Sequence, residues 1–194
     1  MKTLNILLFA LILSTITFAQ NKIKPKLVVG IVVDQMRYDY LEKYSSNFSE
    51  DGFKRLINNG TNFTNCIINY IPTVTATGHA AIYTGTTPFY NGIVANDWKD
   101  RNTLNDINSC DALTLSNKML GNGISNTKSP ERLQSTTIGD QLKLNNYGKS
   151  KVISISLKDR GALLPAGKSA DGAFWFDNSA GKFISSFYYY DNLP

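Results

Sequence analysis

Residues 27–33, Leu-Val-Val-Gly-Ile-Val-Val, form an unbroken apolar run rich in β-branched side chains. A segment with no polar face to offer water suits a strand covered on both sides, as in a parallel sheet flanked by helices. Asp34 ends the run. Downstream, strand-like and helix-like patterns alternate. The spacing predicts a helical turn over 37–44, a short amphipathic helix over 52–59 stopped by Gly60, and a second strand over 63–71. Pro72 cannot donate to a following ladder, and small residues then open a helical pattern over 78–83. Residues 98–130, rich in Asn, Asp, Ser and Gly, read as an excursion over the surface. A helix over 136–145 with Gly148 to end its segment, a strand over 151–157 and a short strand over 173–176 complete the pattern. It predicts an α/β fold, a mostly parallel sheet flanked by helices with right-handed crossovers.

The first 19 residues read as an address. Lys2 supplies a positive start, residues 6–13 an apolar stretch, and Thr17-Phe18-Ala19 a small-x-small cleavage site. Cleavage after Ala19 leaves a mature chain from Gln20, exported to the periplasm or the medium. The apolar stretch is too short for a bilayer span, and no cysteine stands at the cleavage point to carry a lipid anchor. Export makes Cys66 and Cys110 a disulfide candidate, the alternative being two unpaired thiols. No Cys-x-x-Cys is present, so neither a redox dithiol nor a cysteine-held zinc is supported. The formal charge of +5 is spread without a basic stripe, and no nucleic-acid-binding motif is present. Residues 183–190 are strand-prone and aromatic, and the chain stops soon after them, at Pro194. The expectation is the front portion of a longer protein, 20–194 being the N-terminal part of one α/β domain.

In α/β sheets ligands gather at the carboxyl ends of the strands. Three polar clusters fall there: Asp34, residues 73–77, and Lys158 to Arg160. A carboxylate at the end of a buried strand suits a cation such as Zn²⁺, and is equally at home as a loop or capping Asp. Thr75 stands where a strand gives way to a helix start, beside free backbone N–H groups, a place suited to an anion or to an ordinary threonine cap. Its alcohol holds its proton at neutral pH, and coordination to a metal shared with Asp34 is one way to activate it. Thr73 and Thr77 compete for the role. Lys158 and Arg160, alternating in an extended segment, would point the same way with Asp159 opposite; two converging cations suit a dianion. The plainer alternative is a solvated turn. Asn96, after the Asn91-Gly92 turn, has an amide to offer an oxyanion or simply a turn. His79, the sole histidine, reads as packed or hydrogen-bonded and not as a ligand.

Residues 32–41 (Val-Val-Asp-Gln-Met-Arg-Tyr-Asp-Tyr-Leu), 72–79 (Pro-Thr-Val-Thr-Ala-Thr-Gly-His), 95–98 (Ala-Asn-Asp-Trp), 137–142 (Thr-Ile-Gly-Asp-Gln-Leu) and 156–160 (Ser-Leu-Lys-Asp-Arg) stand together in one order. That order resembles the alkaline phosphatase superfamily, and within it the PafA-type, phosphate-irrepressible alkaline phosphatases, over almost the whole mature chain. The resemblance implies that Asp34 binds zinc, that Thr75 is a zinc-coordinated nucleophile, and that Asn96, Lys158 and Arg160 hold the phosphoryl oxygens. It implies hydrolysis of small phosphate monoesters through a phospho-threonine, with two Zn²⁺ ions, one activating the nucleophile and one stabilising the leaving oxygen. The family's remaining ligands are aspartates and histidines of the later part of the domain. With one histidine in all, this chain carries the nucleophile half of the site, and the expectation is that it is inactive alone. Within the same superfamily the alternative is a phosphodiesterase or nucleotide pyrophosphatase, whose diester carries less charge. Outside enzymes, the alternative is a truncated anion-binding fragment. A sulfatase is disfavoured, since it needs a Cys- or Ser-x-Pro-x-Arg site and neither cysteine lies in one.

Overall fold

The computed structural model describes residues 25–121 and 126–194. The expected signal peptide and its cleavage point lie outside the described residues. The chain divides into two compact units, Met1–Val33 and Asp34–Pro194.

In chain order the second unit contains α1 (Tyr40–Lys43), α2 (Phe53–Asn59), α3 (Thr75–Thr84), α4 (Pro88–Asn91), β1 (Asp97–Lys99), β2 (Asp106–Asn108) and β3 (Met119–Leu120). There follow α5 (Ile138–Asn145), β4 (Ile153–Ser156), α6 (Asp159–Ala166), β5 (Gly172–Asp177) and β6 (Lys182–Ser186). The main sheet has the order β3-β6-β5-β4; β1 and β2 form a separate antiparallel pair. β4 and β5 run parallel, joined through α6, with Ile153 opposite Gly172 and Ser156 opposite Trp175. β6 returns antiparallel to β5, pairing Trp175 with Ile184, and β3 adds antiparallel to β6. The expected α/β architecture is present, and its sheet is mixed.

The core explains why these elements hold. Ala173 and Trp175 alternate inward along β5, opposite Ile184 of β6, and all three are buried. α6 covers them with Leu163, Leu164 and Ala166, and α3 packs on α6 through Ala76 and Ala80, one turn apart. Small residues at that spacing let two helices approach closely. α5 starts on a reciprocal capping box in which the Thr137 hydroxyl accepts from Asp140 N and the Asp140 carboxylate accepts from Thr137 N. Asp140, 3% exposed, also accepts from Ser169 N at 2.7 Å and from the Ser169 hydroxyl. Gly167 closes this knot at φ 77; a Cβ there would stand 2.4 Å from Asp140 Oδ2, so a side chain is excluded twice over.

Three expectations are corrected. Residues 27–33 and 63–71 form no strand, and most of their large apolar side chains are exposed, Val29 by 67% and Ile67 by 79%. Their composition suits a ladder, but strand structure requires a hydrogen-bonding neighbour, and among the described residues neither segment has one. Residues 98–130 are more than an excursion: they supply β1, β2 and β3, and they bury Ser109, Cys110, Ser129 and Pro130. The strand expected within 183–190 stops at Ser186. The tyrosines beyond it turn back, with Tyr189 Oη donating to Gly167 O at 2.8 Å and Tyr188 Oη to Lys168 O at 3.0 Å. Among the described residues no helix is long and apolar enough to cross a membrane.

Candidate active site

α3 begins where the extended backbone of Val74 (ψ 169) gives way to helix at Thr75. The Thr75 hydroxyl donates to Asp34 Oδ2 at 3.1 Å, across 41 residues of chain. Gln35 N donates to Asp34 Oδ1 at 3.0 Å, and Gln35 itself sits at φ 58, so the backbone turns sharply just behind the carboxylate. Ala76 N, a free donor of the first helical turn, donates to Asn96 Oδ1 at 2.9 Å. That bond uses the oxygen of the Asn96 side chain and leaves its NH₂ as the donor end. The Asn96 carbonyl is fixed in turn by Ser109 N at 2.9 Å.

Geometry also separates the three threonines. The Thr77 hydroxyl is fully buried and lies 2.8 Å from Val74 O and 2.9 Å from Pro72 O, so it holds the turn. Thr73 is exposed ahead of the helix. Thr75 alone of the three reaches a carboxylate. His79 behaves as expected: its ring is 7% exposed and Nδ1 donates to Thr75 O at 2.8 Å. The same ring reaches the start of α6. Nε2 would lie 3.6 Å from a Cβ on Gly161, and that Cβ would meet Ser156 Oγ at 2.4 Å. Glycine at 161 therefore seats the first turn of α6 on the end of β4 and brings it up to the first turn of α3.

Lys158 and Arg160 occupy this α6 terminus, though not as an alternating extended pair. Lys158 is the extended residue before the helix (φ −133, ψ 150) and is exposed, while Arg160 already lies in the first turn. Asp159 Oδ1 accepts from Arg160 N at 2.7 Å and stands 3.6 Å from Arg160 Nε. That Nε is buried without a hydrogen-bond partner among the described residues. Two helix N-termini and two cations thus share one neighbourhood, an arrangement that favours a bound anion.

The model of the type I phosphodiesterase / nucleotide pyrophosphatase family matches residues 28–191. The chain belongs to that family. Alkaline phosphatase PafA of Elizabethkingia meningoseptica is 48% identical over 171 residues, covering 88% of this chain and 31% of that protein. Alkaline phosphatase PhoV of Synechococcus elongatus is 46% identical over 178 residues, 91% of this chain and 32% of the relative. The solved structure of wild-type PafA superposes with a TM-score of 0.83 at 47% identity, covering 88% of this chain and 33% of that one. A PafA variant altered at a threonine, an asparagine, a lysine and an arginine superposes at 0.85. The chain spans about a third of the length of the relatives it matches. The fold of this family member is therefore that of PafA over the shared region.

Asp34 and the Thr75 hydroxyl offer two oxygen donors at one point, which fits two positions of a zinc ligand set. Among the described residues no cluster of three or more His, Cys, Asp or Glu surrounds them. The expected disulfide is not formed. Cys66 is an exposed free thiol and Cys110 a buried one. Burial, with the Asp159 carboxylate nearby, pushes the Cys110 thiol up to about 12.

Sequence reasoning missed what holds the α6 terminus. Lys128 Nζ donates to Asn108 Oδ1 at 2.9 Å and Asp111 Oδ1 at 3.2 Å, and pairs with Asp159 Oδ2 at 3.2 Å. Its side chain is 15% exposed. Although burial opposes the charge, Asp159 and Asp111 raise the ammonium above its ordinary value. A lone lysine in an Asn- and Ser-rich stretch carries no motif; the signal for it is its burial.

Proposed function

We propose that the complete protein is an exported phosphate-monoester hydrolase in which Thr75 is the nucleophile. The observation that carries this reading is the Thr75 hydroxyl hydrogen-bonded to Asp34 at the open start of α3, with Asn96 on the next amide. Thr75 Oγ attacks phosphorus and its proton passes to solvent water; the bond from phosphorus to the ester oxygen breaks, and the departing alkoxide takes a proton from solvent water and leaves as the alcohol. Water then cleaves the phospho-threonine, returning the hydroxyl and releasing inorganic phosphate. Asn96 Nδ2, Lys158 and Arg160 stabilise the phosphoryl oxygens as charge builds there. Asp34 and Thr75 would hold a zinc ion, which supplies the acidity that makes the alcohol a nucleophile. PafA itself has been altered at a threonine, an asparagine, a lysine and an arginine, the residue types of Thr75, Asn96, Lys158 and Arg160 in the same order and at the same spacing. That correspondence supports the assignment of all four. The leader over 1–19 supports export.

The family's name admits a phosphodiesterase, and the paired cations favour the monoester dianion over it. The test uses the complete, zinc-loaded protein. Thr75→Ala should lower monoester turnover by about 10³-fold or more, and Lys158→Ala with Arg160→Ala should depress monoester turnover about 10²-fold while diester turnover falls far less. Unchanged phosphate release by Thr75→Ala, or equal losses on both ester classes in the double variant, would overturn the reading.

A further inference from the structure

We propose that Lys128 is a positioning residue that keeps Arg160 available to the phosphoryl group by limiting its pairing with Asp159. The inference rests on the function proposed above and adds a residue to it.

Asp159 lies between the two cations assigned to the anion, an awkward place for a carboxylate. Left alone, it would draw the Arg160 guanidinium into a paired, charge-assisted hydrogen bond and remove it from service. In the structure that pairing is incomplete. Asp159 Oδ2 is engaged by Lys128 at 3.2 Å and Oδ1 is taken by the Arg160 backbone N–H, so Arg160 Nε stays ion-paired with Oδ1 at 3.6 Å without a hydrogen bond to it. Lys128 has three N–H donors and three oxygens within reach, on Asn108, Asp111 and Asp159. Its ammonium is therefore fully spent and fixed.

The tripod also joins the two sides of the anion site. Asn108 Nδ2 donates to Asp97 Oδ1 at 2.8 Å, and the next residue, Ser109, donates from its backbone to Asn96 O. A single buried ammonium thus ties the strand pair that follows Asn96 to the start of α6, which carries Arg160. The bond to Asn108 fixes the ammonium itself, so its hold on Asp159, and through Asp159 on Arg160, is rigid.

A residue that acts through Arg160 loses its effect once Arg160 is gone. In the complete protein, Lys128→Met should lower kcat/KM for a phosphate monoester about 10–100-fold and weaken inhibition by inorganic phosphate by a similar factor, with a smaller loss on a diester. Added to Arg160→Ala, the same substitution should change either quantity by less than about twofold. Full additivity in that cycle, or equal losses on monoester and diester, would overturn the proposal. If Lys128→Met does not accumulate as folded protein, Lys128→Met combined with Asp159→Asn replaces it: with the competing carboxylate gone, that double variant should keep kcat/KM and phosphate affinity within about twofold of the parent, and a loss of about 10–100-fold there is equally fatal. A parent protein that hydrolyses no monoester would count against the proposed function; the inorganic phosphate affinities, measured by calorimetry, would still decide the role of Lys128.

Discussion

Residues 27–33 and β5 carry the same kind of sequence, short and rich in strand-forming apolar side chains, yet only β5 is laddered. Ala173 and Trp175 are buried between α6 and the neighbouring strand, whereas Val29 is 67% exposed. The difference lies in what stands beside each segment: β5 has a partner on both edges, and residues 27–33 have none among the described residues. Strand propensity is a fit to neighbours more than a property of the backbone alone. The candidate site draws on both regions. Asp34 directly follows the unladdered segment, while Lys158 and Arg160 start the helix that roofs the best-packed part of the sheet.

The largest contrast should appear in stability. Leu163→Ala, in the core, is expected to cost about 3 kcal/mol, against less than about 0.5 kcal/mol for Val29→Ala in the 194-residue chain. Urea titration of both variants checks this. A cost for Val29→Ala approaching that of Leu163→Ala would mean that residues 27–33 find a ladder in solution. The same pair made in the complete protein sharpens the comparison, since a gain in the cost of Val29→Ala there measures the neighbours the segment acquires.

That contrast also separates what could be read from the sequence from what could not. Local signals were legible. Gly60 ends α2, the helix expected over 136–145 contains α5, and the run over 151–157 contains β4. Asp34, Thr75 and Asn96 were legible as candidates because each residue's chemistry is limited, and the fold brings those three together. Long-range facts were not. Whether residues 27–33 are covered depends on partners that no local pattern names. The helical start at Asp159 replaces the alternation imagined for Lys158 and Arg160, because Gly161 lets the chain coil directly against Ser156. Lys128 was invisible for the same reason: its three oxygens lie from 17 to 31 positions away along the chain.

A smaller effect should follow pH and fall on the packed region. Burial alone would raise Glu131, but hydrogen bonds from Thr114 and Ser129 outweigh it and hold the carboxyl down to about 2, from 4.5. Its folded value is depressed, so its stabilisation is complete above about pH 4.5 and drains away as the pH falls towards about 2. Asp171, held down to about 2 by Lys143 and Val152 N against the effect of burial, works in the same direction. Glu131→Gln should lower the melting temperature by about 2–4 °C at pH 7, and the gap should close near pH 2. A gap that persists unchanged through this range would mean that the carboxylate charge plays no part. Residues 27–33 contain no titrating side chain, so substitutions there should show no such pH dependence.

The finest test compares the two regions through their thiols, with almost no effect on stability. Cys66 lies in the second unladdered segment and is exposed; Cys110 is fully buried beside the Lys128 tripod. Thiol reagents attack the thiolate, so reactivity requires both access and a reachable pKa. Cys110 has neither, since its thiol is pushed up to about 12 by burial and by the nearby Asp159 charge. A colorimetric thiol reagent at pH 8 should therefore titrate one cysteine in the native protein and two after denaturation. Cys66→Ser should abolish the native signal, and Cys110→Ser should leave it intact. Two fast native thiols would mean that the α6 terminus opens readily and that the packed region is less closed than its burial implies. A native and denatured count of zero without reductant would restore the disulfide expected of an exported chain, and with it a covalent tie between the two regions.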